Sequence, residues 1–150
     1  MSLADAFWDG ASYAVIGVHS PDRTLIPEFV KALEAAGKSL WLVDANESPL
    51  DGRPVHSGLE GAPSDLSGAL IVTSPRHALA AVEACLQARV PKLWLDTRGD
   101  SREAADRARE AGVPCVVEAC PLTTMPGVAW FHHFHGRLAR WLGRIREVEP

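Results

Sequence analysis

Short, nearly continuous apolar runs alternate along this chain with longer amphipathic stretches, most of which end at glycine, and that alternation admits few folds. Tyr13-Ala14-Val15-Ile16-Gly17-Val18 is such a run. It has the character of a parallel strand covered on both faces. Leu40–Val43, Ala69–Val72, Leu93–Leu95 and Val113–Val117 read the same way. Between them the spacing predicts helices over Leu25–Ala36, ended by Gly37, over Arg76–Ala88, ahead of Pro91, and over Ser101–Ala111, ended by Gly112. Thr24, Ser74 and Ser101 are placed to accept hydrogen bonds from free amides at the helix starts, and Gly37 and Gly112 to take the left-handed closing position. Pro27 falls in a first turn, where a missing amide costs little. The stretch Asn46–Ser67 is rich in Gly, Pro and Ser and holds at most one short edge strand near Arg53–His56. With right-handed crossovers, this order predicts an α/β chain. Its form is a Rossmann-like doubly wound parallel sheet, three layers α/β/α.

The 150 residues suit one domain spanning 1–150, since a chain of this length buries roughly two-thirds of its unfolded surface. Hydrophobic residues are 47% and charged residues 23%, which is globular rather than disordered or fibrous. No apolar run reaches the length of about eighteen residues that a bilayer needs. Met1–Gly10 lacks the basic-then-apolar pattern of a secretory signal, so the expectation is a cytoplasmic protein without membrane contact. A net charge of -4 lacks the attraction to phosphate on which nucleic-acid binders rely. Cys85, Cys115 and Cys120 form no CxxC pair, which suits a reducing compartment.

A further amphipathic helix is expected over Val128–Ile145. At ~100° per residue, Trp130, Phe131, Phe134, Leu138, Trp141, Leu142 and Ile145 share one arc, with His133, Arg137, Arg140 and Arg144 opposite. Such a face covers the domain's own sheet, joins two subunits as a homodimer, or receives another partner. His132, His133 and His135 diverge too widely around a regular helix to converge on one ion, so no metal site is expected.

In an open parallel sheet, ligands bind beyond the C-terminal strand ends at the switch point. The first such loop is Gly17-Val18-His19-Ser20-Pro21-Asp22-Arg23-Thr24. Its helix-start amides, with Ser20, Thr24 and Arg23, suit an anionic phosphate. The GxGxxG spacing is absent, because His19 and Asp22 stand where the later glycines would be. The second strand ends in Val43-Asp44-Ala45-Asn46. Asp44 either accepts a ribose hydroxyl, as in NAD enzymes, or makes an Asx turn, and in either role it repels a phosphate placed beside it. Thr73-Ser74-Pro75-Arg76 places hydroxyls and a guanidinium at the end of the strand across the switch point.

Taken in order, Val15-Ile16-Gly17 with Ser20-Pro21-Asp22-Arg23, Leu50 to Ser57, Ile71 to Pro75, Leu93-Trp94-Leu95 and Val117 to Pro121 resemble the small stand-alone CoA-binding domain proteins. These are similar to the N-terminal domain of the succinyl-CoA synthetase α subunit. The resemblance covers about Phe7 to Pro121. It implies that the loop opened by Gly17, through Val18, His19, Ser20 and Arg23, meets the CoA phosphates. It implies that Ala45 and Asn46 lie near the adenosine, and that Thr73, Ser74, Pro75 and Arg76 line the pantetheine path. This sequence departs from the family pattern at His19, Asp44 and Asp96. Cys120 matches the family's Cys-Pro, where a buried structural thiol is expected in preference to a reactive one.

The expected function is therefore binding of CoA or an acyl-CoA, a small-molecule nucleotide ligand, as a carrier, sensor or accessory protein without catalysis of its own. No nucleophile elbow, P-loop or carboxylate pair is present. Two alternatives stay open: an NAD-type enzyme using Asp44, and an interaction module acting through the last helix.

Overall fold

The computed structural model describes residues 3–21, 25–97, 99–117, 121 and 146–148. The chain begins with a short helix, α1 (Leu3–Ala6), and a 3-10 turn (Phe7–Asp9), neither of which periodicity announces. Then follow β1 (Ser12–Ile16), α2 (Ile26–Ala35), β2 (Ser39–Val43), β3 (Val55–His56), β4 (Gly68–Ile71), α3 (Pro75–Gln87), β5 (Leu93–Leu95), α4 (Arg102–Glu110), β6 (Cys115–Val117) and β7 (Arg146–Val148). The strand order is β3-β2-β1-β4-β5-β6-β7. The pairs among β1 to β6 are all parallel, while β7 lies antiparallel to β6. The expected parallel sheet is present in those six strands, and the seventh is an addition. The expected helix over Val128–Ile145, its histidines and Cys120 lie outside the described residues.

Alternation along the strands divides the core into two layers. Val15, Leu42, Leu70, Trp94 and Val116 pack with Ile26, Phe29, Val30 and Leu33 of α2. Ala14, Ile16, Ala69, Ile71, Leu93, Leu95, Cys115 and Val117 pack with Ala78, Val82 and Cys85 of α3 and with Ala104, Ala105 and Ala108 of α4. Both faces of β1, β4, β5 and β6 are buried, which is why these strands read as apolar runs rather than as alternation.

The first turn of chain closes the α2 side. Phe7 meets Trp8 and Trp94 edge-on, at centroid distances of 4.8 and 5.3 Å. The Tyr13 hydroxyl donates to Phe7 O at 2.8 Å and accepts from Gly10 N at 2.7 Å. The Lys92 ammonium lies 5.2 Å from the Phe7 ring centroid, and burial lowers its pKa.

The helix boundaries agree with the sequence pattern, but the cap hydrogen bonds do not form. Ser74 and Ser101 precede α3 and α4 without side-chain caps, and Thr24 lies outside the described residues. Pro75 opens α3 with a position that needs no amide partner. At α4 the carboxylate of Asp100 takes the capping role, accepting from Arg102 N at 3.0 Å. The Arg102 guanidinium, held at 2.8 Å, pulls the Asp100 pKa down to about 2. Gly37 and Gly112 have φ of +83° and +76°, as expected of closing residues.

Gly17 stands where β1 leaves the sheet, with φ +98°. A Cβ there would lie 2.8 Å from Thr73 N and 2.9 Å from Thr73 Cγ2. The exits of the two central strands thus touch, backbone to backbone, and only glycine permits both the angle and the approach.

Three expected outcomes test this account. Burial pushes the Tyr13 pKa up to about 12, so the folded state holds the phenol proton more tightly than the unfolded chain does. Its contribution is fully present below the ordinary value of 10.0 and is lost as pH rises through about 12. As this is the single tyrosine of the chain, ultraviolet titration of tyrosinate reads it directly. Tyr13→Phe should lose about 1–3 kcal/mol in denaturant unfolding, because the Phe7 carbonyl and the Gly10 amide lose their partner. Gly17→Ala should cost more than Gly37→Ala, by at least about 1 kcal/mol, since nothing lies within 4 Å of a Cβ at Gly37. Equal losses would mean that Thr73 yields freely.

Candidate nucleotide crevice

The switch point lies between β1 and β4, where the strand order reverses direction. Of the chain exits along the C-terminal edge of the sheet, four are joined in a row by three contacts. Gly17 abuts Thr73 between the exits of β1 and β4. His19 spans the exits of β1 and β2, with its amide donating to Asp44 Oδ2 at 2.9 Å and its Nε2 2.6 Å from Ser48 O. Gly99 sits so close to the start of α3 that a Cβ would be 2.4 Å from Pro75 Cγ, which ties the β5 exit to the β4 exit.

The loop after β1 spends its backbone amides internally. Gly17 N and Val18 N donate to Val43 O at 2.8 and 3.4 Å, His19 N to Asp44, and Ser20 N to Gly17 O at 3.0 Å. The Val18 side chain is 3% exposed and belongs to the core beneath α2. Among the described residues, the Ser20 hydroxyl and the start of α2 remain for an anion at this turn. Arg23 lies outside the described residues.

The loop after β2 is a pair of Asx turns. Asp44 Oδ1 accepts from Asn46 N at 2.8 Å, and Asn46 Oδ1 accepts from Ser48 N at 3.1 Å. Of the two roles open to Asp44, the structure forms the turn: each carboxylate oxygen holds a backbone amide. The turn accounts for both oxygens without a ligand, so this geometry lends the NAD reading no particular support, while each oxygen keeps a further lone pair open to a hydroxyl. Ala45 and Asn46 are exposed on this turn.

Across the switch point the chemistry differs. Thr73 and Ser74 are half-buried at the end of β4, with Pro75 and Arg76 exposed in the first turn of α3. The Thr73 hydroxyl oxygen is buried without a hydrogen-bond partner among the described residues, as is that of Thr97 after β5. Thr97 is 6% exposed. A buried hydroxyl left unpaired costs about 1–3 kcal/mol, so two of them side by side along one edge mark where an outside polar group would be gained. The sequence does not single out Thr97, which follows Asp96. Its signal was only its position two residues past a buried strand. Asp96 itself donates its amide to Ile71 O at 2.9 Å, which holds this loop against β4.

The described thiols are not nucleophiles of this crevice. Cys85 and Cys115 lie in the core, where burial pushes both pKa values up to about 12. Among the described residues no group of His, Cys, Asp and Glu is arranged to hold a metal ion, and no helix is long and apolar enough to cross a membrane.

Solved structures share this architecture. A conserved hypothetical protein from Pyrococcus furiosus matches with a TM-score of 0.65 at 21% identity, over 74% of this chain and 96% of that one. A hypothetical protein from Pyrococcus horikoshii OT3 matches with a TM-score of 0.68 at 16% identity, over 89% of each. A dinucleotide-forming acetyl-coenzyme A synthetase 1 from Ca. Korarchaeum cryptofilum matches with a TM-score of 0.64 at 15% identity. That match takes in 84% of this chain but 31% of the synthetase. At such identities the likeness is one of fold. No curated protein matches the chain. The sequence itself carries the more specific relation, for residues 11–126 match the model of the CoA binding domain, and the chain belongs to that family.

Proposed function

We propose that this protein binds CoA or an acyl-CoA across the C-terminal edge of its sheet and acts as a carrier, sensor or accessory protein without catalysis of its own. The observation that carries this reading is the family match over residues 11–126. The switch-point crevice supports it, as do the two unpaired hydroxyls along one side. In this reading Ser20, Arg23 and the start of α2 take the phosphates, with Gly17, Val18 and His19 shaping that turn. Ala45 and Asn46 border the adenosine. Thr73, Ser74, Pro75 and Arg76 line the pantetheine path, and we add Thr97, whose hydroxyl would pair with an amide of the pantetheine arm.

Thermal unfolding tests the reading directly. CoA at about 100 times its dissociation constant should add about 2.7 kcal/mol of stability. No rise in melting temperature at any attainable CoA concentration would overturn the proposal. Thr97→Val separates a ligand contact from mere packing. Removing an uncompensated hydroxyl should leave the free protein as stable or about 1 kcal/mol more stable, while CoA binds more weakly by a similar amount. Unchanged affinity would take Thr97 out of the site.

A further inference from the structure

Resting on the CoA reading, we infer that the crevice selects against a phosphate on the ribose, so that 3′-dephospho-CoA is bound in preference to CoA. In doubly wound folds the ribose lies at the end of the second strand, where an acidic residue suits free hydroxyls and a nearby cation suits a phosphate. Here residues 44–52 carry Asp44, Glu47 and Asp51 and neither Lys nor Arg. The next cation, Arg53, is turned to the far edge of the sheet. Its guanidinium pairs with Glu34 in the last turn of α2 at 2.7 Å.

The two imidazoles of the region are also engaged. His19 Nε2 lies 2.6 Å from Ser48 O, and His56 stacks on Trp41 with centroids 3.6 Å apart and planes 6° apart. Glu47 is exposed on the turn, as is Asp51. A phosphate dianion placed here would meet like charges, and within residues 44–56 the one Arg or Lys is Arg53, already paired with Glu34. A ribose with both hydroxyls free would meet hydrogen-bond acceptors instead. Repulsion between like charges a few ångströms apart near a surface is enough to decide a preference of about tenfold.

Isothermal titration of the full chain with CoA and with 3′-dephospho-CoA tests this. The expected result is that the dephospho form binds at least about tenfold tighter, and that added salt narrows the gap by screening. Glu47→Lys should raise the affinity for CoA several-fold and leave that for 3′-dephospho-CoA almost unchanged. Glu47 suits this test because it is exposed, whereas Asp44 holds two amides whose loss would disturb the loop itself. Equal or tighter binding of CoA by the natural sequence would overturn this inference alone. Absence of binding by both ligands would overturn it together with the CoA reading.

Discussion

The contact between Gly17 and Thr73 is the constraint on which the crevice depends. β1 is an interior strand, and its exit is tied to both neighbours. Gly17 N donates back to Val43 O at the end of β2, while Val72 N, just past β4, donates to Ile16 O at the end of β1. A chain leaving β1 must turn at once, at an angle that side chains resist, and must do so against the backbone of β4. The positions of His19, Ser20 and the start of α2 follow from that turn. So does the placement of Thr73 at the floor of the switch point.

The two halves of the crevice are organised on opposite principles. On the β2 side almost every polar group is satisfied within the protein: Asp44 and Asn46 form successive turns, and His19 bridges to Ser48. That side is preorganised and leaves its acidic charge outward. On the β4 and β5 side two buried hydroxyls have no partner among the described residues, so that side gains most from a polar ligand. An elongated molecule with a sugar at one end and amides at the other matches this asymmetry better than a compact one does.

Much of the fold was legible in the sequence because burial on both faces leaves a signature that needs no partner to be read. The runs at Tyr13, Leu40, Ala69 and Leu93, and the helices between them, were placed to within a residue or two of their ends. The helix caps were read less well. Ser74 and Ser101 are good capping residues by type, yet neither makes the bond. At α4 a carboxylate one residue earlier competes successfully for the first amide. α1 and the turn at Phe7–Asp9 have too few residues for periodicity, and contacts distant in sequence hold them in place, the aromatic packing and the Tyr13 hydroxyl bond to Phe7 O among them.

What the sequence determined by itself is the alternation of buried strands and amphipathic helices, the acidic character of the loop after β2, and the glycine at the end of β1. These are local properties, set by residue type and spacing. Only the tertiary structure decided that the amides of Gly17–Ser20 are spent on Val43, Asp44 and Gly17 itself, that Asp44 makes a turn, and that Thr97 joins Thr73 along one edge. A hydrogen bond between loops depends on which strands lie side by side, and strand order is a result of packing that no single segment contains.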